Sequence, residues 1–142
     1  MKTKPLTFLL ALTFLFLFSG SVYGDDFQDG KDAYERKDYK TAHKLFLPLA
    51  EEGDALAQFF LGMMYFNGQG VPQDYKEAVM LYRLSAEQGY ASAQYNLGVM
   101  YSEGKGVPQD YKEAEKWWKL AAGQHDEQAQ FILERMHGNS SN

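Results

Sequence analysis

The sequence contains no cysteine. That excludes disulfides, thiolate zinc sites, a cysteine nucleophile and the acylated cysteine of a lipoprotein. Histidine is scarce. His43, His125 and His137 are the only three, no two stand at i, i+4, and no H-E-x-x-H occurs. No metal site is expected from such a set, and no cofactor of any other kind has a motif to hold it. A basic excess is also missing: 14 Lys and Arg stand against 19 Asp and Glu, a formal charge of -5, so the electrostatic footprint of a nucleic-acid binder is absent from the composition. A membrane-spanning run is lacking as well. The longest apolar stretch, Leu6 to Phe18, is interrupted only by Thr7 and Thr13. It falls short of the ~20 residues a spanning helix needs.

What is present begins with that stretch. Lys2 and Lys4 precede it, and the small residues of Ser19-Gly20-Ser21-Val22-Tyr23-Gly24 follow. This is the order of a secretory signal peptide, residues 1–24, with Val22 and Gly24 placed for cleavage before Asp25. Export to the periplasm or the medium is the expectation, with no stable membrane insertion after cleavage. Removal of Lys2 and Lys4 from the 14 basic residues leaves 12 against 19 acidic ones, a mature charge of -7. An exported chain without cysteine must be held by core packing alone. With 45% hydrophobic and 15% aromatic residues over 142 positions, one packed domain is affordable, here residues 25–142.

Self-comparison exposes a repeat. Residues 53–88, GDALAQFFLGMMYFNGQGVPQDYKEAVMLYRLSAEQ, align without a gap on 89–124, GYASAQYNLGVMYSEGKGVPQDYKEAEKWWKLAAGQ, with 21 of 36 positions identical. The register continues into 125–137, which matches the opening of a third copy, and back into 38–52, which matches a second half. Residues 27–36 read as a shortened first helix joined by the tight turn Arg36-Lys37-Asp38. The domain thus divides into a partial unit 27–52, units 53–88 and 89–124, and a C-terminal capping helix 125–137.

Each unit reads as two helices. The first spans about 54–67 and ends at Gly68-x-Gly70, residues that accept the positive φ of a helix stop. Pro72 blocks helical continuation, and Asp74 with Glu77 has capping-box spacing at the start of the second helix. Asp110 and Glu113 repeat it. Gly62 and Gly98 stand mid-helix, where glycine costs roughly 1 kcal/mol against alanine and is tolerated if another helix must come close. In the final helix that position is Glu134, which predicts a wetter face with no second helix upon it. Pro48, inside the second helix of the leading unit, is expected to kink or loosen it.

The pattern A-x-A-Q-x-x-L-G-x-x-Y-x-x-G-x-G-V-P-Q-D-x-x-x-A, at Ala55–Ala78 and again at Ala91–Ala114, resembles the Sel1-like repeat, a relative of the tetratricopeptide repeat. The resemblance implies an all-α, right-handed α-solenoid of about seven helices that serves protein–protein interaction. It implies an exported adaptor or regulator rather than an enzyme. Cysteine-rich relatives linked to penicillin binding supply a second reading, a cell-wall-ligand binder or hydrolase. This chain has none of their cysteines.

No catalytic constellation stands beside that resemblance. Ser85, Ser92 and Ser102 have no adjacent base or nucleophile elbow. Gly68-Gln69-Gly70 lacks the lysine and preceding strand of a phosphate loop. Glu51-Glu52 and Asp25-Asp26 read as solvated surface, and Trp117-Trp118, aligned with Leu81-Tyr82, as core. Differences between the two units point instead to a contact surface. Leu56, Phe60 and Met63 lie at i, i+4, i+7, while their equivalents are Ser92, Asn96 and Val99. With Asn67 and Glu103 these form the expected protein- or peptide-binding stripe on the concave face. The competing expectation is that the stripe packs against residues 27–52. Roughly three units are needed for a stable array, so a homodimer by end-to-end stacking is a further expectation.

Overall fold

A computed structural model describes residues 25–138 and contains seven helices and no strand among them. The expected signal peptide, residues 1–24, lies outside the described residues. Helix α1 occupies residues 25–35. It is followed by α2 (Tyr39–Glu51), α3 (Ala55–Asn67), α4 (Tyr75–Glu87), α5 (Ala91–Glu103), α6 (Tyr111–Gly123) and α7 (Glu127–Gly138). Each helix from α2 onward packs against its sequence neighbours, which builds two layers: α1, α3, α5 and α7 in one, α2, α4 and α6 in the other. This is the α-solenoid expected from the repeat.

The stops are where the glycines stand. Gly68 and Gly104 close α3 and α5 in the left-handed conformation, with φ of 66° and 65°. Asp74 and Asp110 cap α4 and α6, each accepting from two backbone N–H groups at 2.9–3.1 Å. The capping box is only half realised. The N–H of Asp74 donates to the Tyr65 carbonyl, and that of Asp110 to the Tyr101 carbonyl, both at 2.9 Å. The end of one helix is thereby tied to the start of the next. Helix α2 runs unbroken through Pro48 to Glu51, so the expected disruption does not interrupt it. Helix α5 is the exception in its capping: Tyr90 stands at its N-cap with no side-chain bond. The Tyr90 ring packs on Phe59 instead, centroids 5.0 Å apart.

The core is organised around one recurrent contact. Phe46, Tyr82 and Trp118 hold the same position in α2, α4 and α6, and each ring lies over a glycine of the preceding helix. A Cβ at Gly30 would come within 2.7 Å of the Phe46 ring, and one at Gly62 within 2.7 Å of Tyr82. A Cβ at Gly98 would fall on the Trp118 indole. Gly30 places α1 in register with α3 and α5. The turn after it is shorter, closed by Lys37 in the left-handed region at φ 64°. Trp118 and Trp117 are both buried, as core packing required, and Trp118 Nε1 donates to the Tyr95 carbonyl at 3.2 Å.

Glutamines bind the layers across units. Gln58 donates to the Ala50 carbonyl at 3.1 Å and accepts from Gln88 at 2.9 Å. Gln94 repeats this with the Ala86 carbonyl and Gln124. Both are buried amides with their needs met, which is the condition for a polar group in a core. At the far end, α7 carries Glu134 at the glycine position, exposed to solvent as expected of a terminal cap.

Candidate functional site

The eight stripe residues occupy four equivalent positions on α3 and α5: Leu56 and Ser92 near the helix starts, then Phe60 and Asn96, Met63 and Val99, and Asn67 and Glu103 at the ends. The structure divides them. Met63, Asn67, Asn96 and Val99 line one groove between α3 and α5, together with Phe66 and Met100 and with Tyr82 from α4. Its volume is about 200 Å³. Leu56 is exposed outside it, Ser92 is half-buried, and Glu103 is exposed with its carboxylate 2.8 Å from Lys105 Nζ.

Phe60 goes elsewhere. Its ring stacks on Phe46 at 5.0 Å and makes edge contacts with Tyr34 at 5.3 Å and Phe27 at 5.9 Å. It belongs to the cluster formed with the leading helix pair, so at this one position packing against residues 27–52 is what the structure shows. The Phe60/Asn96 difference has a reason inside the fold. The neighbouring ring is Phe46 in one unit and Tyr82 in the next, and Asn96 hydrogen-bonds the Tyr82 side chain. An apolar ring receives an apolar neighbour, and a buried phenol receives an amide. The aligned change from Phe46 to Tyr82 was the sequence signal for this pairing.

The groove has an apolar floor and polar ends. Met63, Val99 and Met100 supply polarisable and aliphatic surface, and Asn67 and Asn96 supply amide donors and acceptors. Tyr82 is almost wholly buried, and burial pushes its phenol far above the ordinary value, with the Asn96 hydrogen bond opposing part of the rise. The phenol is therefore neutral and fixed as a hydrogen-bonding group. Lys105 lies over the Phe66 and Tyr75 rings, 5.4 and 5.6 Å from their centroids. About 200 Å³ is below the ~300–1,000 Å³ of small-molecule pockets and suits one or two side chains of a larger partner. Among the described residues no group of three His, Asp or Glu side chains is placed to hold a metal ion.

A family model described as Sel1 repeat matches residues 23–54, 55–90 and 91–126. The chain belongs to the Sel1 repeat family. The first match includes the leading helix pair, in agreement with Gly30 and Phe46 packing as Gly62 and Tyr82 do. Among solved structures it is similar to a Sel1 repeat protein from Oxalobacter formigenes, at 32% identity and TM-score 0.75, over 78% of this chain and 45% of that one. It is similar to c5321, a protective antigen of uropathogenic Escherichia coli strains displaying an SLR fold, at 41% identity and TM-score 0.73, over 76% of this chain and 24% of that one. A third likeness is to Helicobacter pylori cysteine rich protein B, at 26% identity and TM-score 0.62, over 64% of this chain and 68% of that one. The chain thus spans less than half the length of the first two. A comparison with curated proteins finds no match. Sel1 repeat proteins generally mediate protein–protein interaction, and the repeat is typically a non-catalytic adaptor fold.

Proposed function

We propose that this Sel1 repeat chain is an exported adaptor that binds another protein, or a peptide segment of one, along the groove between α3 and α5. The observation that carries the reading is the groove's composition. Met63, Val99 and Met100 supply apolar surface beside the amides of Asn67 and Asn96 in one groove between the two helices. An extended segment can bury side chains on such a surface while its backbone bonds to the amides. The N-terminal residues 1–24, with the order of a signal peptide, support export. No helix among the described residues is long and apolar enough to cross a membrane. The small volume favours a protein segment over the cell-wall ligand or hydrolase substrate considered from the sequence.

The test places a photo-crosslinking residue at Asn67 in the full chain expressed in its native compartment. A protein beginning at Asp25 should be recovered, joined through Asn67 to a second protein of different mass. Met63→Ser should reduce the adduct with little change in thermal stability, because Met63 is only half-buried. An adduct absent from Asn67 but formed from positions on α2 or α6 would place the binding face elsewhere and sink the reading.

A further inference from the structure

Methionine stands in two kinds of place in this chain. Three of the methionines, Met64, Met100 and Met136, hold one repeated position in α3, α5 and α7. Met64 and Met100 are 0% and 1% exposed, each inside a core cluster. Met136, on the terminal helix, is half-buried. Met63 and Met80 fall outside this pattern. Val99 stands at the place of Met63, and Lys44 and Lys116 at that of Met80, so the repeat requires a thioether at neither. Met80 is 48% exposed on α4. Met63 is half-buried and lines the α3–α5 groove.

A thioether is an apolar group that an oxidant can make polar. The sulfur attacks the terminal oxygen of a hydroperoxide. The S–O bond forms as the O–O bond breaks, the proton passes to the departing oxygen, and an alcohol leaves, or water when the oxidant is hydrogen peroxide. Sulfur loses two electrons and the peroxide gains them. Susceptibility follows access to the sulfur, which Met100, in the same groove, and Met64 lack. At Met63 the product changes the groove in two ways. Apolar surface is lost, and a strong acceptor oxygen appears beside amide donors. Asn67 lies at i+4 from Met63, one turn along the same face of α3, and lines the groove together with Asn96. These amides are the donors proposed for a partner's backbone, and the sulfoxide oxygen competes for them from within the chain.

We propose that Met63 is a redox switch on the partner groove, resting on the α3–α5 groove being the binding site: the thioether leaves the groove open to a partner, and the sulfoxide closes it. A partner side chain set against a polar S–O group forfeits a buried apolar contact, and the affinity falls by about tenfold. Enzymatic reduction of the sulfoxide restores the groove, so the change is reversible.

The test uses the full chain in its native compartment, with a photo-crosslinking residue at Glu103, an exposed position on the same stripe that leaves the groove amides intact. Met80→Leu and Met136→Leu remove the other accessible thioethers. The compartment's contents are treated with hydrogen peroxide and irradiated, and peptide mass mapping gives the sulfoxide fraction at each methionine. Met63 should oxidise while Met64 and Met100 stay reduced. The adduct should fall in step with Met63 oxidation, by about tenfold at completion, with Tm in place. A methionine sulfoxide reductase with dithiothreitol should restore it. Met63→Leu, whatever its starting yield, should give the same adduct with and without peroxide. Four results overturn the switch: Met63 oxidising no faster than Met64 and Met100, an adduct unchanged when Met63 is fully oxidised, an equal loss in Met63→Leu, which would place the sensitivity in the partner, or a collapse of Tm on oxidation. An adduct that survives oxidation leaves the partner-binding reading standing. Absence of any adduct from untreated protein, at Glu103 and at Asn67, sinks that reading and the switch with it.

Discussion

Gly98→Ala is the substitution that most directly tests the ring-over-glycine contact. By helix propensity alone it should stabilise α5 by up to ~1 kcal/mol. The structure reverses the sign. The added Cβ would lie 2.6 Å from Cδ1 of Trp118 and 2.9 Å from Cε2. The indole cannot swing away without giving up its bond to the Tyr95 carbonyl and its buried surface. An extra carbon in such a core costs ~1–3 kcal/mol, and with a rigid ring as the obstacle the upper half of that range applies. The net expectation is a loss of about 1–2 kcal/mol. For a domain of this size that lowers Tm by about 4–8 °C. Gly123→Ala is the internal control, since nothing lies within 4 Å of a Cβ there. It should be neutral or stabilising by a few tenths of a kcal/mol. Trp118→Leu is destabilising by itself, but in its background Gly98→Ala should become neutral or favourable, a coupling of ~1.5–3 kcal/mol. The assay is chemical denaturation of the four members of the cycle. A Gly98→Ala protein more stable than wild type, or a cycle with no coupling, would refute the reasoning.

Two further outcomes follow from backbone and burial. His125 adopts φ 67°, in the place where Gly53 and Gly89 stand in the other units, and its side chain is exposed. His125→Gly should therefore raise stability by about 0.5–1 kcal/mol by relieving left-handed strain, and an unchanged or lower Tm would count against it. The Tyr82 phenol is held far above its ordinary value near 10 by burial, so the folded protein keeps a proton that the unfolded chain loses. Stability is complete below pH 10 and falls as the pH rises beyond it, by up to ~1.4 kcal/mol per pH unit for this phenol. Tyr34, Tyr65 and Tyr95, raised in the same direction, add to the fall. Denaturation midpoints between pH 9 and 12 should drop less steeply in Tyr82→Phe than in the wild type; parallel curves would show that this phenol is not the cause.

The helices, stops and caps were legible because each is a local arrangement. Gly68 and Gly104 end helices, and Asp74 and Asp110 begin them, through backbone groups only a few residues away. The register of residues 27–52 was harder to follow along the chain, because the turn after α1 is four residues shorter than the turns after α3 and α5. Gly30 facing Phe46 restores the register, and it requires knowing which ring covers which glycine. Pro48 shows the opposite limit. A strong local rule predicted disruption, and a helix anchored by buried Phe46 and Leu49 passes through it.

The candidate site was legible only in part, and the reason is the same. Position along α3 and α5 placed eight residues on two stripes, but periodicity does not reveal what stands opposite. Met63, Asn67, Asn96 and Val99 share one groove because α3 and α5 lie side by side over Tyr82. Phe60, on the same stripe, is claimed by Phe46, Tyr34 and Phe27 from the leading helices. The sequence by itself determined the family, the helices and their boundaries, since these depend on near neighbours and on a repeated pattern. Only the tertiary structure decided which apolar residues were core and which were left over, in the groove between α3 and α5 and on α2, α4 and α6. That depends on the rings and charges that meet across helices about 36 residues apart.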